Sequence, residues 1–219
     1  MEQAPGFFGK LPSHGDFIWR RLAPEVRACF DDWLQGALVQ SKRDLGSAWL
    51  QTWLHSPLWR YLAAPGICGD QPWAGVMMPS HDRVGRCFPL LLAAPLDGMP
   101  VLRDCFGRYD PWFAQLENLA LSALADGFSV SRFDAALKTM DEVPPGGGSP
   151  GCPPGQGCPI SRPSVQPWEA FRESTGVSLG GKSAWWTLGS PSMAPRLFIH
   201  DGLPGVERFS AMLDAHWEG

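Results

Sequence analysis

Charge is scarce in this sequence. Asp, Glu, Lys and Arg make up only 18% of its 219 residues and leave a net charge of −4. A general nucleic-acid binder needs a basic face to displace counterions from phosphates, so this composition excludes one. Long apolar runs are missing too. No segment reaches the roughly 18 consecutive apolar residues that span a bilayer, and no direct membrane insertion is expected. The opening residues, MEQAPGFFGK, lack a basic stretch followed by an apolar one, so no secretory leader is read and the expected location is cytoplasmic. Tyrosine is nearly absent, at two residues against eleven tryptophans. Tryptophan packs cores and anchors interfaces, so these rings are expected mostly inside, with a few facing a partner.

Hydrophobic residues reach 44%, enough for a buried core. The six cysteines, Cys29, Cys68, Cys87, Cys105, Cys152 and Cys158, are expected to be mostly free thiols in a reducing compartment. Gly6 to Arg20 reads as a hairpin or a strand and loop, with Pro12, Ser13 and Gly15 marking the turn. From Pro24 the apolar residues Val26, Phe30, Trp33, Leu34, Ala37 and Leu38 recur at helical steps, which predicts a helix ending near Leu45. A shorter one follows through Trp49 to Leu54 and stops at Pro57. Trp59–Ala64, Trp73–Met78 and Cys87–Ala94 read as strands. The last is apolar almost throughout, as in strands covered on both faces.

Pro111–Ala125 is a strong amphipathic helix with Asp110 at the N-cap position, and Phe128–Met140 a weaker one. Residues 143–167 are dominated by Pro and Gly and read as a long loop. Trp168–Ser174 is a candidate short helix, Ala184–Leu188 and Arg196–His200 are strands, and Pro204–Trp217 closes as a helix. Four to six strands with helices between them suggest an α/β fold with a mixed sheet. The C-terminal strands are too little chain to stand alone and are expected to extend the first sheet, giving one domain over residues 1–219.

Several motifs resemble catalytic ones. Gly176–Ser183 matches the phosphate-cradling pattern G-x-x-x-x-G-K-[ST]. That loop works after a buried strand and at a helix N-terminus, whereas here a polar stretch precedes it and the strand-like AWWTLG follows. A nucleotide-binding hydrolase using Lys182 is the alternative reading. Cys152 and Cys158 lack the second ligand pair that structural zinc requires, so no metal or other cofactor is expected. Ser80-His81-Asp82 holds the letters of a hydrolase triad, but adjacent side chains diverge. No G-x-S-x-G elbow exists.

The densest polar cluster is Pro79–Arg86, between two strands. Asp82 with Arg83 and Arg86 makes either an internal ion pair fixing the turn or a surface for a partner, since loops on rigid scaffolds often carry function. Asp16, Arg20 and Arg60 sit in similar tryptophan-flanked positions and divide the same way between buried pair and docking group; the arginine fork suits both.

Gly6–Pro12, Gly15-Asp16-Phe17 and Arg21-Leu22 resemble the opening of TagF-family proteins associated with type VI secretion. Pro57–Arg60, Pro65-Gly66 and Cys68-Gly69 continue the likeness. Gly75–Ser80, Asp82–Arg86 and Phe88-Pro89-Leu90 are its most specific stretch, and Ser183 with Trp185-Trp186-Thr187 resembles the C-terminal signature. The resemblance implies a three-layer α/β/α sandwich around a mixed sheet and no catalytic activity. It also implies a post-translational repressor of type VI secretion that contacts a cytoplasmic forkhead-associated scaffold protein. The candidate contact residues are Asp16, Arg20, Arg60, Asp82, Arg83, Arg86, Trp185 and Trp186.

Overall fold

The structure, a computed structural model, describes residues 4–100, 102–140, 143 and 179–214. The Pro/Gly-rich stretch is outside these apart from Val143, as are the helix expected at 168–174, the Cys152 and Cys158 thiols, and residues 176–178 of the phosphate-loop match.

Seven strands form one sheet: β1 (Gly6–Gly9), β2 (Ile18–Arg20), β3 (Trp59–Ala63), β4 (Trp73–Met78), β5 (Leu90–Pro95), β6 (Lys182–Thr187) and β7 (Arg196–Asp201). Their spatial order is β2-β1-β5-β4-β3-β6-β7. Every ladder between them is antiparallel, which corrects the mixed sheet expected above. The two helix-bearing connections, β2 to β3 and β5 to β6, do cross over to strands that are not sheet neighbours of those they leave, but every strand pair they help to assemble runs antiparallel. The expected hairpin is present as β1–β2, and the C-terminal strands extend the sheet through the β3–β6 ladder.

The central strands are buried along almost their whole length because alternate residues feed two separate cores, as a pleated strand covered on both faces requires. On one face Trp59, Tyr61, Met77, Leu91 and Trp185 share a cluster with residues of α1 (Pro24–Leu45), α2 (Trp49–His55) and α5 (Phe209–Asp214). The buried stripe of α1 is the one its spacing marks out, Val26, Phe30, Trp33, Leu34, Ala37 and Leu38, with Ser41 added. On the other face Leu62, Val76, Met78, Leu92 and Trp186 pack with residues of α3 (Asp110–Ser122) and α4 (Val130–Lys138).

Tryptophan donors tie distant segments to these cores. Trp33 Nε1 donates to the Pro204 carbonyl at 2.7 Å and Trp59 Nε1 to that of Met212 at 2.9 Å. Each indole is thereby satisfied and pins the C-terminal segment. Gly75 is required by a close approach: the Tyr61 hydroxyl crosses β4 to reach the Leu92 carbonyl at 3.2 Å, and a Cβ on Gly75 would stand 2.6 Å from that hydroxyl.

Two expectations change. Cys29 and Cys68 are joined in a disulfide that fastens α1 to the β3–β4 connection; Cys87 and Cys105 are free. Packing of α1 on the sheet brings the Cα atoms to 5.5 Å, within bridging range, although 39 residues separate them in sequence. Asp110 does not cap α3. Tyr109 holds that position without a side-chain bond, because the Asp110 carboxylate is taken by Arg60 at 2.6 Å.

Two measurements follow from this packing. The Cys29→Ser, Cys68→Ser double variant should lose roughly 2–4 kcal/mol of unfolding free energy in denaturant titration, as expected for a loop of this length. Arg60→Met leaves Glu117 unpaired beneath α3 and should cost about 3–5 kcal/mol in the same assay.

Candidate functional site

The turn between β4 and β5 is organised around one carboxylate. Asp82 has no solvent exposure, and its oxygens accept from Lys10 Nζ at 2.9 Å and Arg86 Nε at 2.6 Å. They also accept from the backbone N–H of Val84 at 3.0 Å and of Arg86 at 2.9 Å. Burial alone would raise the Asp82 pKa, but the bonds from Lys10, Arg86 and Val84 hold it far below the usual carboxylate range.

The local chain is built to deliver these donors. Gly85 N–H donates to the Asp82 carbonyl at 2.9 Å, and the left-handed step at Gly85, φ 84°, turns the chain that follows so that the Arg86 N–H faces the Asp82 carboxylate. Asp82 N–H and the Arg86 carbonyl close the turn at 3.0 Å.

The same turn is laced to the loop of the first hairpin. Arg83 N–H donates to the His14 carbonyl at 2.8 Å, Arg86 Nη2 to that of Gly15 at 2.6 Å, and Ser80 Oγ to that of Lys10 at 2.8 Å. Trp53 of α2 donates to the Ser80 carbonyl at 3.2 Å. The base of the turn is therefore rigid while its tip is open. Val84 is 70% exposed, the Arg86 side chain is 60% exposed, and Arg83 and Gly85 are exposed as well.

Of the eight candidate contact residues, Asp82, Arg83 and Arg86 come together at this turn, with exposed Asp16 on the adjoining hairpin loop. Asp16 accepts from the Phe17 N–H at 2.8 Å. Arg20 is exposed on β2, its guanidinium turned back to the Trp19 carbonyl at 2.8 Å.

The other three are interior. Arg60 is 1% exposed; it forms a two-bond fork with Glu117 at 2.7 Å per bond, bonds Asp110, and lies 5.5 Å from the Phe113 ring. Burial alone would depress its pKa, but the two carboxylates raise it, so it stays charged. Trp185 and Trp186 are 0% exposed on opposite faces of the sheet, Trp185 stacked on Tyr61 and Trp186 edge-on to Phe113. Consecutive residues on a strand point to opposite faces, and here both faces are covered. As placed, Arg60, Asp82, Trp185 and Trp186 offer no surface to a partner, and their expected docking role is corrected to a part in the core.

Sequence reasoning missed Lys10. It is 7% exposed and pairs with Asp82. The available signal was a lone cation in the run FFGKL, which needs a counter-charge if buried.

Lys182 opens strand β6 in antiparallel register with Asp201, and its ammonium pairs with that carboxylate. Gly180 and Gly181 form the turn before it. The described half of the phosphate-loop match thus leads into a strand, not a helix N-terminus. Among the described residues no group of His, Cys, Asp and Glu could hold a metal ion, and no helix is long and apolar enough to cross a membrane.

An antiparallel seven-stranded sheet flanked by helices, with a braced and protruding turn, defines an α/β class of protein. Residues 6–140 match the TagF N-terminal domain, which is type VI secretion system-associated, and the chain belongs to that family. It is also similar to PA0076 from Pseudomonas aeruginosa PAO1, known from a crystal structure at 2.05 Å resolution. Identity is 35%, the TM-score is 0.79, and the match covers 99% of this chain and 96% of that one. No curated protein matches the sequence.

Asp82→Asn should lower the thermal midpoint markedly, because it weakens four bonds at once, whereas Arg83→Glu at the exposed tip should leave it nearly unchanged. The sign of the pH effect is set by a folded-state pKa below the unfolded value. The Asp82 contribution is complete above about pH 4 and is lost as pH falls through the lower folded value. The acid limb of a midpoint-against-pH curve should accordingly be shallower in Asp82→Asn than in the wild type.

Proposed function

We propose that this chain is a non-enzymatic, post-translational negative regulator of type VI secretion that acts in the cytoplasm by binding a forkhead-associated scaffold protein of the apparatus. Membership of the TagF family supports the link to type VI secretion. The observation that carries the binding mode is the turn at 82–86. Its base is fixed by a buried carboxylate, Arg83 and Val84 are held out at its tip, and the Arg86 guanidinium, bonded to Asp82 and the Gly15 carbonyl, keeps its outer face exposed beside them. A preset, exposed tip loses little conformational freedom on binding, and it combines an apolar contact with two cations. Asp16 and Arg20 extend this surface along the hairpin.

Repression requires only that the regulator bind one state of the scaffold better than the other. The reading takes the molecule as one three-layer α/β/α domain, for which the two apolar clusters on opposite sheet faces speak.

Capture of the purified scaffold by the full chain tests the proposal. Arg83→Glu combined with Val84→Asp should abolish capture at physiological salt while the thermal midpoint stays put. Undiminished capture by that variant would remove the turn from the interface. Calorimetric titration with ATP or GTP and magnesium should give no heat of binding, and micromolar affinity lost in Lys182→Ala would overturn the non-enzymatic reading.

A further inference from the structure

The open end of the turn carries more positive charge than the fold beneath it neutralises. Asp82 is balanced from inside by Lys10 as well as by Arg86, and its oxygens are occupied by donors at the base of the turn. It has nothing left to offer Arg83. The Arg83 guanidinium has no acceptor among the described residues; its backbone N–H alone is bonded, to the His14 carbonyl.

Arg83 and Arg86 nevertheless converge on one residue of the hairpin loop. Arg86 Nη2 donates to the Gly15 carbonyl at 2.6 Å, and a Cβ on Gly15 would stand 3.5 Å from Arg83 Nη2. Two cations held against the same residue repel each other, and their fields add at any anion that reaches both. Lys42, exposed near the end of α1, adds to this field at the residue after Arg86. Burial pushes the Cys87 thiol up, and among the charges acting on it Lys42 comes first, lowering it, ahead of Asp82 and Lys10. The Lys42 ammonium lies over the Trp49 ring at 4.6 Å and has no carboxylate partner among the described residues. Asp16, exposed on the hairpin loop, turns one oxygen to the Phe17 N–H. It can offset one of these charges but not three.

A separate observation is apolar. Val84, next to Arg83 in the turn, is 70% exposed, more than any other large apolar side chain among the described residues. An apolar group fixed between two arginines suits a protein segment in which an apolar residue adjoins an acidic one. The charge of the whole chain narrows the partner further. It is −4, so a long polyanion such as nucleic acid or an anionic bilayer meets repulsion beyond the turn. A short segment senses only the charges within about 8 Å at physiological ionic strength.

We propose that the tip of this turn grips a short acidic segment of a partner protein. An aspartate or glutamate of that segment bridges the Arg83 guanidinium and Arg86 Nη1, which the turn leaves free, and a neighbouring apolar side chain packs on Val84. Lys42 widens the field that draws the segment in, and charge complementarity selects the partner. The inference takes the exposed tip as an interaction surface, as the proposed function does, and adds the chemistry of what it receives.

The probe is the capped peptide acetyl-Gly-Glu-Leu-Glu-Gly-amide, titrated into the full isotope-labelled chain while the Val84 backbone amide and Arg83 Nε–H resonances are followed. The expected result is a saturable shift in the millimolar range that weakens as salt is raised and is absent with the glutamine analogue of the peptide. Arg83→Gln should bind about fivefold more weakly, the scale of an exposed charge contact, with an unchanged thermal midpoint. If that midpoint moves, Val84→Ser is read in its place. It should lose affinity for the leucine peptide and keep that for the peptide with glycine at the central position. No saturable shift at tens of millimolar peptide, an equal response to the glutamine analogue, or unchanged affinity in the variant read would overturn the proposal. So would stronger shifts of the same resonances with duplex DNA or phosphatidylglycerol vesicles. Loss of scaffold capture in Arg83→Glu, Val84→Asp without any response to the acidic peptide would overturn this inference and leave the proposed function standing. Saturable peptide binding with undiminished capture would support this inference and remove the turn from the scaffold interface.

Discussion

The arrangement at the exposed end of this fold depends on one buried charge. Asp82 is withdrawn from water and surrounded by four donors from two separate pieces of chain, Lys10 beside β1 and Val84 and Arg86 in the turn after β4. An ionised carboxylate in that position is tolerable only when every donor is in place. The hairpin loop and the turn are thereby coupled: displacing either one leaves a charge unpaired. The exposed tip owes its definition to this coupling, since Arg83, Val84 and Gly85 have little beneath them except the Asp82 network and the backbone bonds to the hairpin loop.

The same logic appears on the far side of the sheet. Arg60 lies within the central strand β3, where an aliphatic residue would ordinarily sit, and is met by Asp110 and Glu117 from α3. Its planar fork matches the Glu117 carboxylate with two parallel bonds, which fixes the rotation of α3 over the sheet as well as its position. Paired buried charges of this kind add little net stability but penalise any alternative packing that separates them. The low overall charge is thus spent unevenly: Arg60 and Asp82 act inside the fold, while Arg83 and Arg86 stand at its surface.

Most of the strands and helices were legible because their apolar spacing is regular. The α1 stripe and the uninterrupted apolar runs of β4 and β5 predict what is found. What the sequence left open are relations between distant residues. The antiparallel order of the sheet depends on which strands pair, and that is set by helix packing, not by local pattern. The Cys29–Cys68 bridge depends on α1 reaching the β3–β4 connection. For Asp82 and Arg60 the sequence posed the choice between ion pair and docking group correctly but could not decide it, because burial is a property of the assembled fold. Trp185 and Trp186 were assigned to a surface for want of a sign that both sheet faces are covered.

The most direct measurement of the central claim is native-state hydrogen exchange at the backbone amides of Val84 and Arg86. Both donate to Asp82, so both should be strongly protected in the wild-type chain, as fully as amides of the β4–β5 ladder, and should lose that protection together in Asp82→Asn. Exchange of these two amides at the rate of an open loop in the wild-type chain would contradict the account: the turn would then have no fixed base, and the exposed residues no preset arrangement to offer a partner.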